Sequence, residues 1–213
     1  MTEDATLQAP TVTGFAAKCA IAALRKHNVA VQPLLHRAGL SELNFGNPRH
    51  RVSAIGQIKF LEYAAEAMDD AAFGLHLAEQ SNPREAGLLF YVVSAARSLD
   101  QALALLARYS RIANETVRLK LTRQPEGVIA EINWVGISRH RVKQNVEFLV
   151  AVVVKAIRET TGRDIRPTRI AYAHVRAADL REFQRFFGCP VEFGAQSDQM
   201  EFSNDTLDRK SVV

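Results

Sequence analysis

Residues 117–134 read Val-Arg-Leu-Lys-Leu-Thr-Arg-Gln-Pro-Glu-Gly-Val-Ile-Ala-Glu-Ile-Asn-Trp. Val117, Leu119 and Leu121 alternate with Arg118, Lys120 and Thr122, the period of two that makes a half-buried strand. Val128, Ala130, Ile132 and Trp134 alternate with Ile129, Glu131 and Asn133 in the same way. Between the two runs, Gln124-Pro125-Glu126-Gly127 suits a type I turn with Pro at its second position. The stretch predicts a β-hairpin.

Downstream, Val142, Val146, Leu149, Val153 and Ile157 recur at helical spacing, and Gly162 can end the element. This predicts one long helix over 139–161, apolar enough to be buried on most sides. Arg169 to His174 then reads as a strand, Asp179 to Phe187 as a short helix, and Val191–Phe193 and Met200–Phe202 as short paired strands. Upstream the periodicity is helical throughout. A helix begins near Gly14 and stops at Asn28. A short one runs from Pro33 to Arg37, with Gly39 behind it. Ser53 caps a third, carrying Ile58, Leu61, Ala65 and Met68 on one stripe. Further helices are predicted over 71–79, over 86–97, and from Ser98 to about Ala113, where Ser98 and Gln101 form a capping box. Helices followed by β-β-α-β-α-β-β predict an α+β fold: an N-terminal helical layer packed with a mostly antiparallel sheet and one long buried helix. Residues 1–13 are expected to be a flexible N-terminus, 14–208 an effector-binding and dimerisation domain, and 209–213 the start of a linker or an excised end.

The 213 residues, 47% hydrophobic and 23% charged, have a globular composition. The longest apolar run, Phe148 to Val154, falls far short of the roughly 20 residues that span a bilayer. Glu3 and Asp4 stand where a secretory signal needs positive charge. Cys19 and Cys189 form no disulfide framework and fit a cytoplasmic protein. The net charge of +4 is uneven: residues 1–106 carry 9 Lys+Arg against 10 Asp+Glu, and residues 107–213 carry 18 against 13. The excess is spread along the second half rather than gathered into the basic stripe of a nucleic-acid binder.

The chemistry is sparse. There is no G-x-G-x-x-G, Walker loop, G-x-S-x-G or S-x-x-K, and no two of the six histidines stand at i, i+2 or i+4. No acid/base or nucleophile constellation emerges, and neither an enzyme nor a cofactor is expected. Four features bear on binding. Arg139-His140-Arg141 and Lys143 put cations where the helix dipole favours anions. Either an anionic ligand such as a carboxylate is bound there by Arg141 and the free N–H groups, or the cations are solvated and partly neutralised by Glu147. Phe90 and Tyr91 either line a pocket or pack in the core. Trp134 either stacks on a ligand or covers the open end of the sheet. Tyr172 and His174 share a strand face, in a hydrogen-bonded structural role or a catalytic one.

Certain words recur in a familiar order. They are Ala38-Gly39-Leu40, Ala72-Phe73-Gly74-Leu75, Gly87-Leu88-Leu89-Phe90-Tyr91, Ser98-Leu99-Asp100-Gln101-Ala102-Leu103, Leu106-Ala107-Arg108-Tyr109, Thr161-Gly162 and Tyr172-Ala173-His174. Last come Phe187-Gly188-Cys189-Pro190-Val191-Glu192-Phe193-Gly194-Ala195, Met200-Glu201-Phe202 and Leu207-Asp208. In this order, from about Gly14 to Asp208, the chain resembles the N-terminal regulatory domain of AraC/XylS-type transcription regulators, in the branch labelled arabinose-binding although its members sense varied metabolites. The Phe-Gly-x-Pro-Val-x-Phe stretch is its most specific part. The Pro-containing link usual after Leu-Asp is missing from Arg209-Lys210-Ser211-Val212-Val213.

The resemblance implies a small-molecule effector, a homodimer, no membrane, and DNA contact only through a C-terminal helix-turn-helix module absent from this chain. It carries no ligand residues over by position. Phe90, Tyr91, Trp134 and Arg141, at the expected helix-to-sheet junction, are the candidate ligand-binding residues, chosen for their chemistry. Two alternatives stay open: a ligand-free dimerisation module, motivated by the apolar run Phe148 to Val154, and a haem- or gas-sensing domain.

Overall fold

The alternation in 117–134 becomes a hairpin in the computed structural model, which describes residues 9–45, 50–138, 141–176 and 180–208. Strand β3 (Val117–Gln124) pairs antiparallel with β4 (Gly127–Trp134), from Val117 opposite Trp134 to Gln124 opposite Gly127. Val128, Ala130 and Ile132 are buried, the face that the period of two assigns to the core. The sheet continues with β5 (Arg169–Tyr172), β6 (Val191–Phe193) and β7 (Asp198–Ser203), in the order β3-β4-β7-β5-β6.

One expected pairing is corrected. β6 and β7 are not partners, because β5 lies between them, antiparallel to β7 and parallel to β6. The crossover helix α8 (Arg181–Phe187) joins β5 to β6, and a strand–helix–strand unit returns the chain in the same direction. Beyond β6, Gly194 and Ala195 donate to the carbonyls of His174 and Tyr172, so this segment stays with β5. The sheet is still mostly antiparallel.

Seven helices besides α7 (Lys143–Thr161) and α8 are described: α1 (Phe15–Lys26), α2 (Val31–Arg37), α3 (Ala54–Ala67), α4 (Phe73–Gln80), α5 (Leu88–Ser94), α6 (Leu99–Ala113) and α9 (Asn204–Leu207). Local chemistry sets their ends. Ser53 Oγ accepts the N–H of Gly56, and Ser98 Oγ accepts that of Gln101. The Gln101 amide oxygen accepts from Arg97 rather than Ser98, a capping box shifted by one residue. The helix expected over 86–97 is shorter, because Gly87 at φ 85 separates it from a 3₁₀ turn over Pro83–Ala86.

The long helix α7 (Lys143–Thr161) begins later than 139 and ends at Gly162, whose φ is 60. The run Phe148 to Val154 is interior: five of its seven residues are buried, and only Leu149 and Val153 are partly exposed. α7 packs most closely on α4, where Gly74 is required: a Cβ there would lie 2.2 Å from the carbonyl oxygen of Gln144. The core runs as one cluster from Val12 to Leu207, shared by helices and sheet.

The end of the segment expected to be loose is pinned. β1 (Thr11–Val12) pairs with β2 (Val52–Ser53), Val12 is buried, and Glu115 accepts both the N–H and the hydroxyl of Thr11. Two-residue strands with a single apolar side chain give no periodic signal. Residues 1–8, Arg139, His140, Asp179 and the expected linker at 209–213 lie outside the described residues.

Candidate functional site

The four candidate residues occupy three separate places. Phe90 lines an apolar cavity of about 70 Å³ between α5, α6 and α7, with Leu89, Val93, Leu103, Leu106 and Val153 around it. Tyr91 packs edge-on against Phe90, ring centroids 5.5 Å apart, and its other side is exposed. Of the seven residues of α5, Leu-Leu-Phe-Tyr-Val-Val-Ser, none is fully buried, and Leu88 and Tyr91 are 63% and 60% exposed. α5 is thus an apolar helix without a buried face that lies over the cavity.

Arg141 borders a different and wider hollow, about 620 Å³, between α3 and the connection from β4 to α7. Lys59, Glu62, Tyr63, Glu66 and Lys143 share it. The first turn of α7 also meets an acid from α3. Glu62 Oε1 accepts the backbone N–H of Gln144 at 2.8 Å, in the first turn of α7. A carboxyl of the protein itself thus takes one of the N–H groups of that turn. Burial, the largest influence, pushes the Glu62 carboxyl above its usual range against the pull of that N–H.

Glu147, expected to offset Lys143, does something else. It is fully buried, and its carboxylate lies 2.7 Å from His174 Nε2 and takes Arg176 Nη2 at 2.6 and 2.8 Å. His174 is therefore a hydrogen-bonded residue of the interior. Arg176 stacks on Phe183 and Phe193, and Phe193 stacks on Tyr172 at 5.0 Å. Tyr172 Oη, His174 Nδ1 and Arg176 Nε and Nη1 are buried without a hydrogen-bond partner among the described residues. Burial drives the Tyr172 phenol well above its ordinary range.

Trp134 Nε1 donates to Asp198 Oδ2 at 3.0 Å, and Asp198 Oδ1 accepts the N–H of Ala173 at 2.8 Å. The indole is thus tied to the sheet, across β4, β7 and the end of β5, beside a third hollow of about 190 Å³. Both thiols are free, and burial pushes Cys19 up to about 12 and Cys189 up to about 11, far from thiolate chemistry at neutral pH.

Sequence reasoning missed Glu62, Asp198 and Arg176, and it misplaced Glu147. Only Glu147 carried a signal: an acid in the buried stripe between Val146 and Phe148 needs interior partners.

A family described as the arabinose-binding domain of the AraC transcription regulator, N-terminal, matches residues 29–211. Among solved structures, the transcriptional regulator CdpR from Pseudomonas aeruginosa has the same fold, with a TM-score of 0.65 at 14% identity. The match covers 93% of this chain and 57% of that one, so the chain spans little more than half the length of its structural neighbour. A search of curated protein sequences finds no match.

Proposed function

The chain belongs to the family of N-terminal arabinose-binding domains of AraC transcription regulators, and from that premise we propose that it is a sensor: it binds a small-molecule effector and so controls an attached DNA-binding module. It works in the cytoplasm as a homodimer, without catalysis or a cofactor. Among the described residues no helix is long and apolar enough to cross a membrane.

The observation that carries this reading is the cavity under α5. It is apolar, it is roofed by a helix with no buried face, and it touches α7, the helix at the centre of the core. An effector seated there favours one position of α5 over another, and it shifts the domain's population by its difference in affinity for the two. Phe90, which lines the cavity, is the proposed contact, and Tyr91, edge-on against its ring, is the proposed support. Trp134 and Arg141 border their own hollows and are contacts only for an effector that binds there.

A thermal-shift screen of amino acids, polyamines and organic acids tests the proposal. A saturable rise in melting temperature supports it. With a hit in hand, Phe90→Ala lowers affinity while Arg141→Ala and Trp134→Ala leave it unchanged; the reverse pattern moves the site to the α3 groove or the sheet edge. Silence across the screen, with a dimer in sedimentation, would replace the sensor by a ligand-free dimerisation module.

A further inference from the structure

The cavity under α5 has a polar neighbour. Ala86 and Leu89 line both it and a second hollow of about 280 Å³, on the side of α5 that faces α1. The two spaces adjoin at these two side chains, and their chemistry differs sharply. The inner one is walled almost entirely by aliphatic and aromatic groups, with Thr160 at its edge. The outer one carries Lys18, His50 and Arg51 against a single acid, Glu85.

Lys18 and Arg51 are not equally available. Arg51 is committed: its guanidinium donates to the Thr11 hydroxyl, the Thr11 carbonyl and the Ile112 carbonyl, and it faces Glu115. It adds positive potential but no spare donor. Lys18 projects from α1 into solvent and has no hydrogen-bond or ion-pair partner among the described residues. It is the donor that a ligand can use.

We infer that this pair of hollows binds an amphipathic monocarboxylate, with its hydrocarbon end under α5 beside Phe90 and its carboxylate at the mouth against Lys18. This rests on the sensor reading and names the class of its effector. Apolar walls recognise the tail by area removed from water, and the unpaired Lys18 ammonium at the mouth selects a negative head. The inner cavity alone is about half the roughly 150 Å³ that holds a benzene ring in an apolar protein interior. A compact tail therefore enters by pushing α5 outward, and that gives the effector its hold on the equilibrium.

Calorimetric titration of the whole chain with hexanoate, octanoate and decanoate, with octanol as the uncharged control, tests the assignment. Affinity rises with chain length by up to about four-fold per methylene until the space is full, then levels off. Lys18→Gln, a surface change that leaves the fold intact, weakens octanoate about two- to five-fold and leaves octanol unchanged. Ala102→Leu, which fills the inner cavity, abolishes the chain-length ladder; Val153→Phe does the same from the α7 side, should the first variant fold poorly. Octanol binding as tightly as octanoate, or a Lys18→Gln variant that binds octanoate like the parent, would overturn the carboxylate assignment. If no carboxylate binds but another compound of the screen stabilises the chain, the class is wrong and the sensor stands. If nothing binds at all, both readings fall.

Discussion

Glu62 reaches from α3 to the backbone N–H of Gln144 at 2.8 Å and so caps the helix whose own start supplies no capping side chain. The bond links the helical layer to the central helix at the point where Gln144 also bridges to α4, through the Gly74 N–H and the Ala71 carbonyl.

Two substitutions at Glu62 should therefore behave differently. Glu62→Ala removes the acceptor and costs about 1 kcal/mol, the usual price of a lost cap. Glu62→Gln keeps an acceptor and removes a charge that burial disfavours. Burial holds the folded-state carboxyl above its ordinary value of 4.5. The neutral acid is thus favoured by folding: its contribution is complete below pH 4.5 and is lost as pH rises through the folded value. At pH 7 Glu62→Gln is consequently as stable as the parent or more so. Thermal melts of the two variants at pH 7 check both statements.

His76 moves stability in the same direction at higher pH. Its Nδ1 lies 2.8 Å from Asp70 and its Nε2 3.0 Å from Glu182, so it clamps α4 to α8. The hydrogen bond to Asp70 is the largest influence, and the imidazolium is held up to about 9 against an ordinary 6.5. Stability from this clamp is complete below pH 6.5 and is lost as pH rises through 9. Urea midpoints at pH 6 and pH 9.5 should differ in the parent, and His76→Gln should remove most of that difference.

Glu147→Ala strands the Arg176 guanidinium, whose side chain is 2% exposed, without its carboxylate. A buried pair broken on one side costs about 3–5 kcal/mol, whereas replacing both members by apolar side chains is far milder. Chemical denaturation should show a large drop in midpoint for Glu147→Ala and substantial recovery in Glu147→Leu/Arg176→Met.

Gly74→Ala places a methyl group where only backbone fits, 2.2 Å from the Gln144 carbonyl oxygen. The helices α4 and α7 must part to admit it, at about 1–3 kcal/mol, the range for overpacking a tight core. A lower melting temperature with unchanged far-ultraviolet circular dichroism is the expected result.

The fold was readable where side-chain period and capping chemistry act over short distances. The hairpin at 117–134, the Ser53 and Ser98 caps and the helical stripes all belong to that class. β6 and β7 were not, because a three-residue strand does not encode its neighbour, and the insertion of β5 between them is a property of the whole sheet. The site was less legible for the same reason. Phe90 and Arg141 each border a hollow, but nothing in their spacing says that the hollows are different. Glu62 and Gln144 are 82 residues apart, and a carboxylate on an ordinary helical stripe gives no sign that it will end at another helix's N-terminus.

The strand at the middle of the sheet is also the latest of its five in sequence order. β7 joins β4 on one side to β5 on the other, so until Ser203 has emerged the hairpin and the β5–β6 pair each present an open edge with no partner. During synthesis those two half-sheets wait, exposed to mispairing, with the helical layer already complete. A chain stopped before Asp198 would keep nearly all of its helices and still be two unjoined pieces of β-structure.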